Sequence, residues 1–414
     1  WIEDQDFFRF SGIFRSVYLY AKPKVHVRDI WLKAELLSGN TTGQLTPVIK
    51  LDGETEGAKV HLRLTDREGY ALYDDFTDGS AITLEGIHPW SHEKPILYHA
   101  VLTLQDASGA VQEVVPYDIG FRRFEMINGV MCLNGERVVF NGVNRHEWNA
   151  DRGRAIGADD MHAAMAVFKK NNINAVRTCH YPDQSLWYDL CDRNGIYMID
   201  ETNLESHGSW QKLGAVEPSW NVPGSLPEWK DCVVDRARSM FERDKNHAAV
   251  LIWSCGNESY AGEDILAMSQ FFHDHDPGRL VHYEGVFHCR AFDAISDMES
   301  RMYAKPWEIR EYLESHPKKP FILCEYMHDM GNSLGGMESY VRLADEFDQY
   351  QGGFIWDYID QALRHTDALG RSVLGYGGDF ADRNTDYNFS GNGIVYADGT
   401  EKPAMQDVRY WYNT

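Results

Sequence analysis

The chain has 414 residues, 43% of them hydrophobic and 13% aromatic, a length and composition that allow two or three domains with substantial cores. A formal charge of −23, from 40 basic and 63 acidic residues, repels phosphate backbones and anionic surfaces, so nucleic acid is excluded as a partner. No run of residues approaches the roughly 20 apolar positions of a membrane-spanning helix, so no membrane partner is expected.

The N-terminus and the cysteines predict the context of the chain. It opens on Trp1 and Ile2 without an initiator methionine, which we interpret as a fragment or a processed piece of a longer protein. The seven cysteines show no short pairing and several lie in apolar runs. This pattern indicates free thiols in a reducing compartment, and a cytoplasmic location is expected.

Residues from about 24 to 117 alternate between apolar and polar side chains. The clearest runs are 25–32, 59–64 and 97–104, and turn clusters such as Asp52-Gly53 separate them. A period of two over about a hundred residues predicts an antiparallel, immunoglobulin-like β-sandwich. Catalytic residue types do not collect in this part of the sequence.

After Met126 the pattern changes to strands that alternate with helices, such as those expected at 159–168 and 232–241. The strand candidates are 137–145, 173–179, 196–201, 250–256, 280–284, 294–297, 320–325 and 352–357. Eight alternations in about 290 residues predict a (β/α)8 TIM barrel. The fold class is therefore multidomain, a β-sandwich followed by a TIM barrel.

A barrel of this kind carries its chemistry at the C-terminal ends of its strands. Polar side chains follow the strand candidates as that rule requires: His146, Glu147, His180, Glu201, Glu205, His207, Glu258, Tyr303, Glu325 and His328, with Asp357 expected inside the eighth strand. These positions predict a polar site at one mouth of the barrel.

Glu258 and Glu325 end the fourth and seventh apolar runs. A retaining glycosidase needs two carboxyl groups about 5–5.5 Å apart, one to protonate the leaving oxygen and one to attack the anomeric carbon. Either glutamate alone could be an ion-paired residue at a strand end, but the two together favour the catalytic pair. Their spacing does not decide which is the acid and which is the nucleophile.

Glu205 and His207 lie two positions apart after the third strand and could hold a divalent cation together with Glu258. An oxygen-rich set with one histidine suits Mg²⁺ better than structural zinc. The spacing by itself favours the alternative, a histidine hydrogen-bonded to a loop carboxylate. Trp356 precedes Asp357 directly, so we expect its ring to line the pocket, where sugars stack on aromatic faces.

Nine motifs extend over nearly the whole chain: 3–6, 11–15, 141–147, 179–182, 200–208, 253–259, 322–333, 352–357 and 376–380. They resemble glycoside hydrolase family 2, and closely its bacterial lactose-cleaving β-galactosidases. The resemblance implies that Glu258 is the general acid and then base, that Glu325 is the nucleophile, and that Glu205, His207 and Glu258 bind a catalytic Mg²⁺.

The same resemblance implies contacts to the galactosyl ring from these side chains: Asp6, His146, His180, Asn257, Tyr303, His328 and Trp356. It implies that Asp6, Phe389 and Asn392 form a Na⁺ site beside the sugar 6-hydroxyl. Residues 148–150 and 260–262 depart from the family pattern beside the pocket. A β-galactoside with a simple leaving group is therefore a firmer expectation as substrate than lactose itself.

The implied domains are the tail of an N-terminal jelly-roll sugar-binding domain at 1–21, the sandwich at 22–125 and the catalytic barrel at 126–414. The implied activity is hydrolysis of terminal β-D-galactosides with retention, through a covalent galactosyl-enzyme, in a full-length enzyme that forms homo-oligomers. Two alternatives stay open: a β-glucuronidase or β-mannosidase of the same family, or an inactive sugar-binding or assembly fragment.

Overall fold

A computed structural model describes residues 2–207, 222–331, 333–382 and 385–413 of the chain. Gly208 and Asn332, which belong to two of the motifs above, lie outside these ranges. Within the described ranges, no helix combines the length and the apolar character that crossing a bilayer requires.

Two antiparallel sheets pack face to face between Val25 and Ile119, a stretch that is described throughout. One has the strand order β1-β2-β5, with β1 at Val25–Leu36, β2 at Thr42–Gly53 and β5 at Ile82–Glu85. The other has the order β4-β3-β6-β7, with β3 at Lys59–Thr65, β4 at Ala71–Thr77, β6 at Tyr98–Gln105 and β7 at Val111–Ile119. Alternate residues of β6 are buried, as the period of two predicted.

A small meander, β8 at Phe124–Ile127, β9 at Val130–Leu133 and β10 at Glu136–Arg137, joins the sandwich to the barrel. Asn128 and Gly129 both have positive φ, which is the requirement of a two-residue hairpin turn. The side-chain amide of Gln351 bonds both backbone groups of Met131. Since Gln351 lies near the start of its strand, the meander covers the N-terminal end of the barrel.

Eight parallel strands form the barrel sheet in the order β15-β14-β13-β12-β11-β18-β17-β16. Their bounds are β11 Phe140–Asn144, β12 Ala175–Arg177, β13 Tyr197–Glu201, β14 Val250–Ser254, β15 Leu280–His282, β16 Glu299–Met302, β17 Phe321–Tyr326 and β18 Tyr350–Ile355. No backbone ladder among the described residues joins β15 to β16, so the barrel is nearly closed. The predicted fold class is confirmed.

Helices surround this sheet and fill the connections. They are α1 Ala158–Lys170, α2 Ser185–Asn194, α3 Pro227–Asp244, α4 Glu263–His275, α5 Pro306–Glu314, α6 Glu338–Val341, α7 Leu343–Glu346 and α8 Met405–Trp411, with 3₁₀ helices at Glu284–His288, Arg290–Ile295 and Tyr387–Ser390. A hairpin of β19, Leu363–Thr366, and β20, Ser372–Gly375, lies outside the barrel. The helices predicted at 159–168 and 232–241 are α1 and α3.

The sixth strand was predicted at 294–297, and this prediction is wrong. Those residues end a 3₁₀ helix and begin a loop, whereas the strand is β16, Glu299–Met302. Its sequence is polar because Glu299 is buried between Arg290 and Arg301, both of which donate to it at 2.7 Å. A search for apolar runs does not find a strand whose buried residues are ion-paired. Asp357 lies two residues beyond the end of β18 rather than inside it.

Candidate active site

A cavity of about 450 Å³ lies at the C-terminal ends of the barrel strands. The side chains that line it are Asp6, His180, Glu205, His207, Asn257, Glu258, Tyr303, Glu325, His328, Trp356, Thr385, Asp386, Tyr387 and Phe389. Most of the residues predicted for the site are therefore brought together. His146 and Asn392 are the predicted site residues that do not line it.

Both oxygens of Glu325 are held by donors. Glu325 lies in β17, and its Oε1 accepts a hydrogen bond of 2.9 Å from Arg177. Its Oε2 accepts a hydrogen bond of 2.7 Å from the Tyr303 hydroxyl. The side chain is thus oriented in the cavity wall beside the guanidinium of Arg177.

Arg177 at the end of β12 is the centre of the polar network below the cavity, and it was not predicted as a site residue. Its guanidinium is fully buried and donates to Glu201, Glu325, Asn257 and Asn144 at distances of 2.7 to 3.0 Å. A rigid five-donor fork can fix several acceptors at once, so Arg177 positions Glu325 and the Asn257 side chain together.

Glu258 follows β14 and lies on a strained loop with a positive φ of 35°. Its backbone N–H donates to Oε1 of Glu284 at 2.8 Å. Burial raises the pKa of Glu258 well above its ordinary value, and the carboxylates of Glu325 and Asp6 act in the same direction. A carboxyl group with a raised pKa beside an oriented carboxyl group suits a general acid.

Glu284 is a buried carboxyl group beneath Glu258 that sequence reasoning missed. Burial raises the pKa of Glu284 to about 8, and its Oε2 has no hydrogen-bond partner among the described residues. The predicted strand 280–284 placed this residue inside a strand. Since β15 ends at His282, Glu284 instead begins the 3₁₀ helix Glu284–His288 that follows the strand, where its carboxyl group accepts from the backbone of Glu258.

Glu205, His207 and Glu258 converge, with one ligand atom of each within 4.8 Å of the others. His207 Nε2 lies 3.2 Å from Glu258 Oε2. Glu205 Oε2 is buried without a hydrogen-bond partner among the described residues, and burial, followed by the charges of Asp6 and Glu258, raises the pKa of Glu205 well above its ordinary value. A hard cation would relieve this excess of negative charge, so the donor set fits Mg²⁺.

Asp6 and Phe389 line the cavity, while Asn392 lies behind it. The Asn392 side-chain amide donates to the Phe389 carbonyl, and its buried Oδ1 has no partner among the described residues. Burial raises the pKa of Asp6 to about 6. An unpartnered amide oxygen and a half-buried carboxylate are oxygen ligands of the kind that a monovalent cation takes.

The rings of His180 and Trp356 stack at 5.3 Å and form one wall of the cavity. His180 Nδ1 donates to Glu201 at 2.6 Å, and burial holds the pKa of His180 well below its usual range, so the ring is neutral. Its Nε2 is left as an acceptor for a ligand hydroxyl. His146 packs edge-on behind both rings, with Nε2 4.0 Å from Asp357, and supports this wall from the rear.

His328 completes the opposite side of the cavity. Its ring lies 5.6 Å from Tyr303 and 5.8 Å from Phe389, centroid to centroid. Burial lowers the pKa of His328, so it too presents a neutral imidazole. The cavity therefore combines aromatic walls, neutral imidazoles and carboxyl groups, which suits a neutral ligand rich in hydroxyls.

Comparison with known proteins decides the family. Residues 124–414 match the family model of the glycosyl hydrolases family 2 TIM barrel domain, and residues 25–122 match a second model described as glycosyl hydrolases family 2. The chain belongs to glycosyl hydrolase family 2. The first match covers more than half of the chain, and the barrel described above is the domain that it names.

Family 2 relatives with curated descriptions are similar along the entire chain. A β-galactosidase of Halalkalibacterium halodurans is 57% identical over an alignment of 419 positions, which covers 100% of this chain and 41% of that protein. A β-galactosidase large subunit of Lactobacillus acidophilus is 54% identical, over 100% of this chain and 67% of that protein. The chain spans less than half of the first of these relatives.

Among solved structures, a β-glucuronidase of Ruminococcus gnavus in complex with uronic isofagomine superposes with a TM-score of 0.77. It is 20% identical, and the match covers 95% of this chain and 69% of that one. At this identity the likeness shows a shared fold.

Proposed function

We propose that this chain is the catalytic core of a retaining β-galactosidase, which hydrolyses terminal β-D-galactosides by double displacement. The observation that carries the proposal is the contrast between two carboxyl groups of one cavity. Glu325 has both oxygens fixed by Arg177 and Tyr303, whereas Glu258 is an acid whose pKa is raised. The names of the similar proteins support galactosides as the substrate class.

In the first step, Glu325 Oε attacks the anomeric carbon while Glu258 gives its proton to the glycosidic oxygen, so the aglycone leaves as an alcohol. Tyr303 and Arg177 hold the attacking carboxylate in place. In the second step, Glu258, now ionised, removes a proton from water, and the water oxygen displaces Glu325 from the sugar. The configuration at the anomeric carbon is inverted twice and therefore retained.

Replacing Glu258 separates the acid and base roles. With a dinitrophenyl galactoside, which needs no proton to leave, Glu258→Gln should spare the first step and slow the second by about 10²- to 10⁴-fold. Added azide, which attacks without a base, should restore turnover and give galactosyl azide with retained configuration. Glu325→Gln should not respond to azide. An E258Q variant that azide leaves unchanged would contradict the acid and base assignment.

The cavity favours a neutral sugar over a glucuronide. Its described lining holds no lysine or arginine to pair with a uronic carboxylate, and it contains several carboxyl groups instead. A charged sugar would meet like charges there. We expect kcat/KM for nitrophenyl β-galactoside to exceed the values for the glucuronide and the mannoside, and a preference for either of the latter would select the alternative.

We propose that Glu205, His207 and Glu258 bind Mg²⁺, and that Asp6, Phe389 and Asn392 bind Na⁺ beside the sugar 6-hydroxyl. The raised pKa of Glu205 and its unpaired Oε2 support the first site. The unpaired Oδ1 of Asn392 supports the second. When bound, Mg²⁺ supplies a positive charge that tunes the acidity of Glu258.

Glu205→Gln removes one negative ligand and should weaken Mg²⁺ binding by at least about tenfold. The measurement is a Mg²⁺ titration after chelation, followed both by activity and by the melting temperature. Glu314→Gln, an exposed position on α5, is the matched control and should bind Mg²⁺ normally. Equal Mg²⁺ dependence in E205Q and E314Q would show that Glu205 is not a ligand.

Assembly is the remaining proposal. Some similar proteins are described as large subunits, and we propose that this chain works within a larger, oligomeric enzyme in the cytoplasm, where its seven unpaired cysteines suit a reducing compartment. Assaying the 414 residues alone and with flanking domains tests this. Activity that needs the added domains supports the proposal, and no activity in either form would favour an inactive binding module.

A further inference from the structure

A second cavity, of about 350 Å³, lies where the sandwich meets the barrel. One wall is formed by residues 31–37 of β1 and its following loop, and the other by segments 245–248 and 276–279. These two segments immediately precede β14 and β15. The cavity is therefore at the N-terminal end of the barrel, opposite to the site that contains Glu258.

Cations outnumber carboxylates in the walls of this inter-domain cavity. Lys33, Arg122, Arg123, Lys245 and Arg279 line it, against Glu35 and Asp276. This local excess of positive charge contrasts with the formal charge of −23 of the whole chain. Three of the cations have carboxylate partners elsewhere in the wall or behind it: Lys245 pairs with Asp29, Arg123 with Glu125 and Arg279 with Asp276.

Arg122 and Lys33 lack such partners. No carboxylate among the described residues lies within 4.0 Å of either side chain, and Lys33 instead lies over the ring of Trp31. Arg122 Nε and Nη2 donate to the carbonyls of Ala248 and Val250, each at 2.6 Å. Its Nη1 makes no hydrogen bond within the described chain, and the Arg122 side chain lines the cavity.

Two guanidinium groups crowd together at this point. Arg279 Nε donates at 2.8 Å to the same Val250 carbonyl that accepts from Arg122. Burial first, and then the charge of Arg279, lower the pKa of Arg122 to about 9, although the carboxylates of Asp276 and Asp192 oppose this decrease. Desolvated like charges are costly unless a counter-charge is present. The hydrogen bonds from Arg122 to the carbonyls of Ala248 and Val250 neutralise none of its charge. Holding these two barrel segments together therefore does not by itself explain why two guanidinium groups lie so close.

We propose that the inter-domain cavity binds a small dianionic oxyanion of the phosphate type, with Arg122 Nη1 as its main donor and Lys33 and Arg279 as flanking charges. Arginine matches the geometry of tetrahedral oxyanions with paired N–H groups. Since the walls belong to both domains, a bound anion fastens the sandwich to the barrel. The site is separate from the proposed galactosidase chemistry and does not depend on it.

The test is thermal unfolding of the full chain in inorganic phosphate and in chloride at equal ionic strength and pH. Wild-type protein should melt at least about 2 °C higher in phosphate, because a ligand that binds the folded state stabilises it. Arg122→Gln should lose that increment whatever its melting temperature in chloride. Arg63→Gln, an exposed position on β3, should keep it.

Phosphate also stabilises proteins generally through its exclusion from their surfaces. An equal increment in wild type, R122Q and R63Q would therefore overturn the proposal, as would the absence of any increment. Should R122Q fail to fold, Lys33→Gln keeps the test decisive, since calorimetric affinity for phosphate should fall several-fold. Competition between phosphate and a galactoside would place the anion in the acidic cavity and would also overturn it.

Discussion

Glu325→Gln should reduce kcat for nitrophenyl β-galactoside by roughly 10⁴-fold or more, because the amide cannot form the covalent galactosyl intermediate. Glutamine preserves the shape of the side chain, and its oxygen can still accept the hydrogen bond from Arg177. The fold should therefore be retained, and the circular dichroism spectrum and the melting profile should stay close to those of the wild type. Initial rates under saturating substrate measure the effect.

Tyr326→Phe is the matched control for this substitution. Tyr326 is the next residue of β17, and its hydroxyl bonds that of Tyr412 outside the cavity. It reports any disturbance of the strand without touching the chemistry, and its kcat should stay within a few-fold of the wild-type value. If E325Q and Y326F retained similar turnover, Glu325 could not be the nucleophile.

Arg177→Met should lower the free energy of unfolding by about 3–5 kcal/mol, the loss observed when one partner of a buried ion pair is removed. Methionine fills part of the volume but leaves Glu201 and Glu325 buried without their cation. Activity should fall as well, because Glu325 loses the donor to its Oε1. Urea unfolding with linear extrapolation measures the change in stability. Steady-state kinetics measure the loss of activity.

Two comparisons make this prediction specific. Arg63→Met breaks an exposed pair with Asp74 and should cost less than about 1 kcal/mol. Combining Arg177→Met with Glu201→Gln removes one of the stranded charges, so the double variant should be more stable than R177M alone. A loss in R177M no larger than that in R63M would show that the buried network does not hold the barrel together.

The fold was largely predictable because its parts follow strong periodic signals. The sandwich alternates with a period of two, and most barrel strands are apolar runs buried on both faces, such as β14 and β17. The sixth strand was missed because ion pairs, rather than apolar side chains, stabilise Glu299 inside it. A hydrophobic pattern cannot detect charges that become neutralised only when distant residues meet.

The site was predictable in outline for a different reason. Glu258 and Glu325 stand at strand ends, where a barrel collects its chemistry, although their roles came from the family resemblance. Arg177 and Glu284 were overlooked because each fell inside a predicted strand. The strands in the structure end earlier than the predicted ones. In both cases the signal that could have identified the residue was a charged side chain near the end of an apolar run.

The most direct test is to identify the residue that carries the sugar. A 2-deoxy-2-fluoro-galactoside with a good leaving group slows the second step, so the glycosyl-enzyme accumulates and mass spectrometry of its peptides locates the label. We expect the label on Glu325 in the wild type, and none in E325Q. A label on Glu258, Glu205 or any other residue would contradict the account, as would full turnover of galactosides without a covalent adduct.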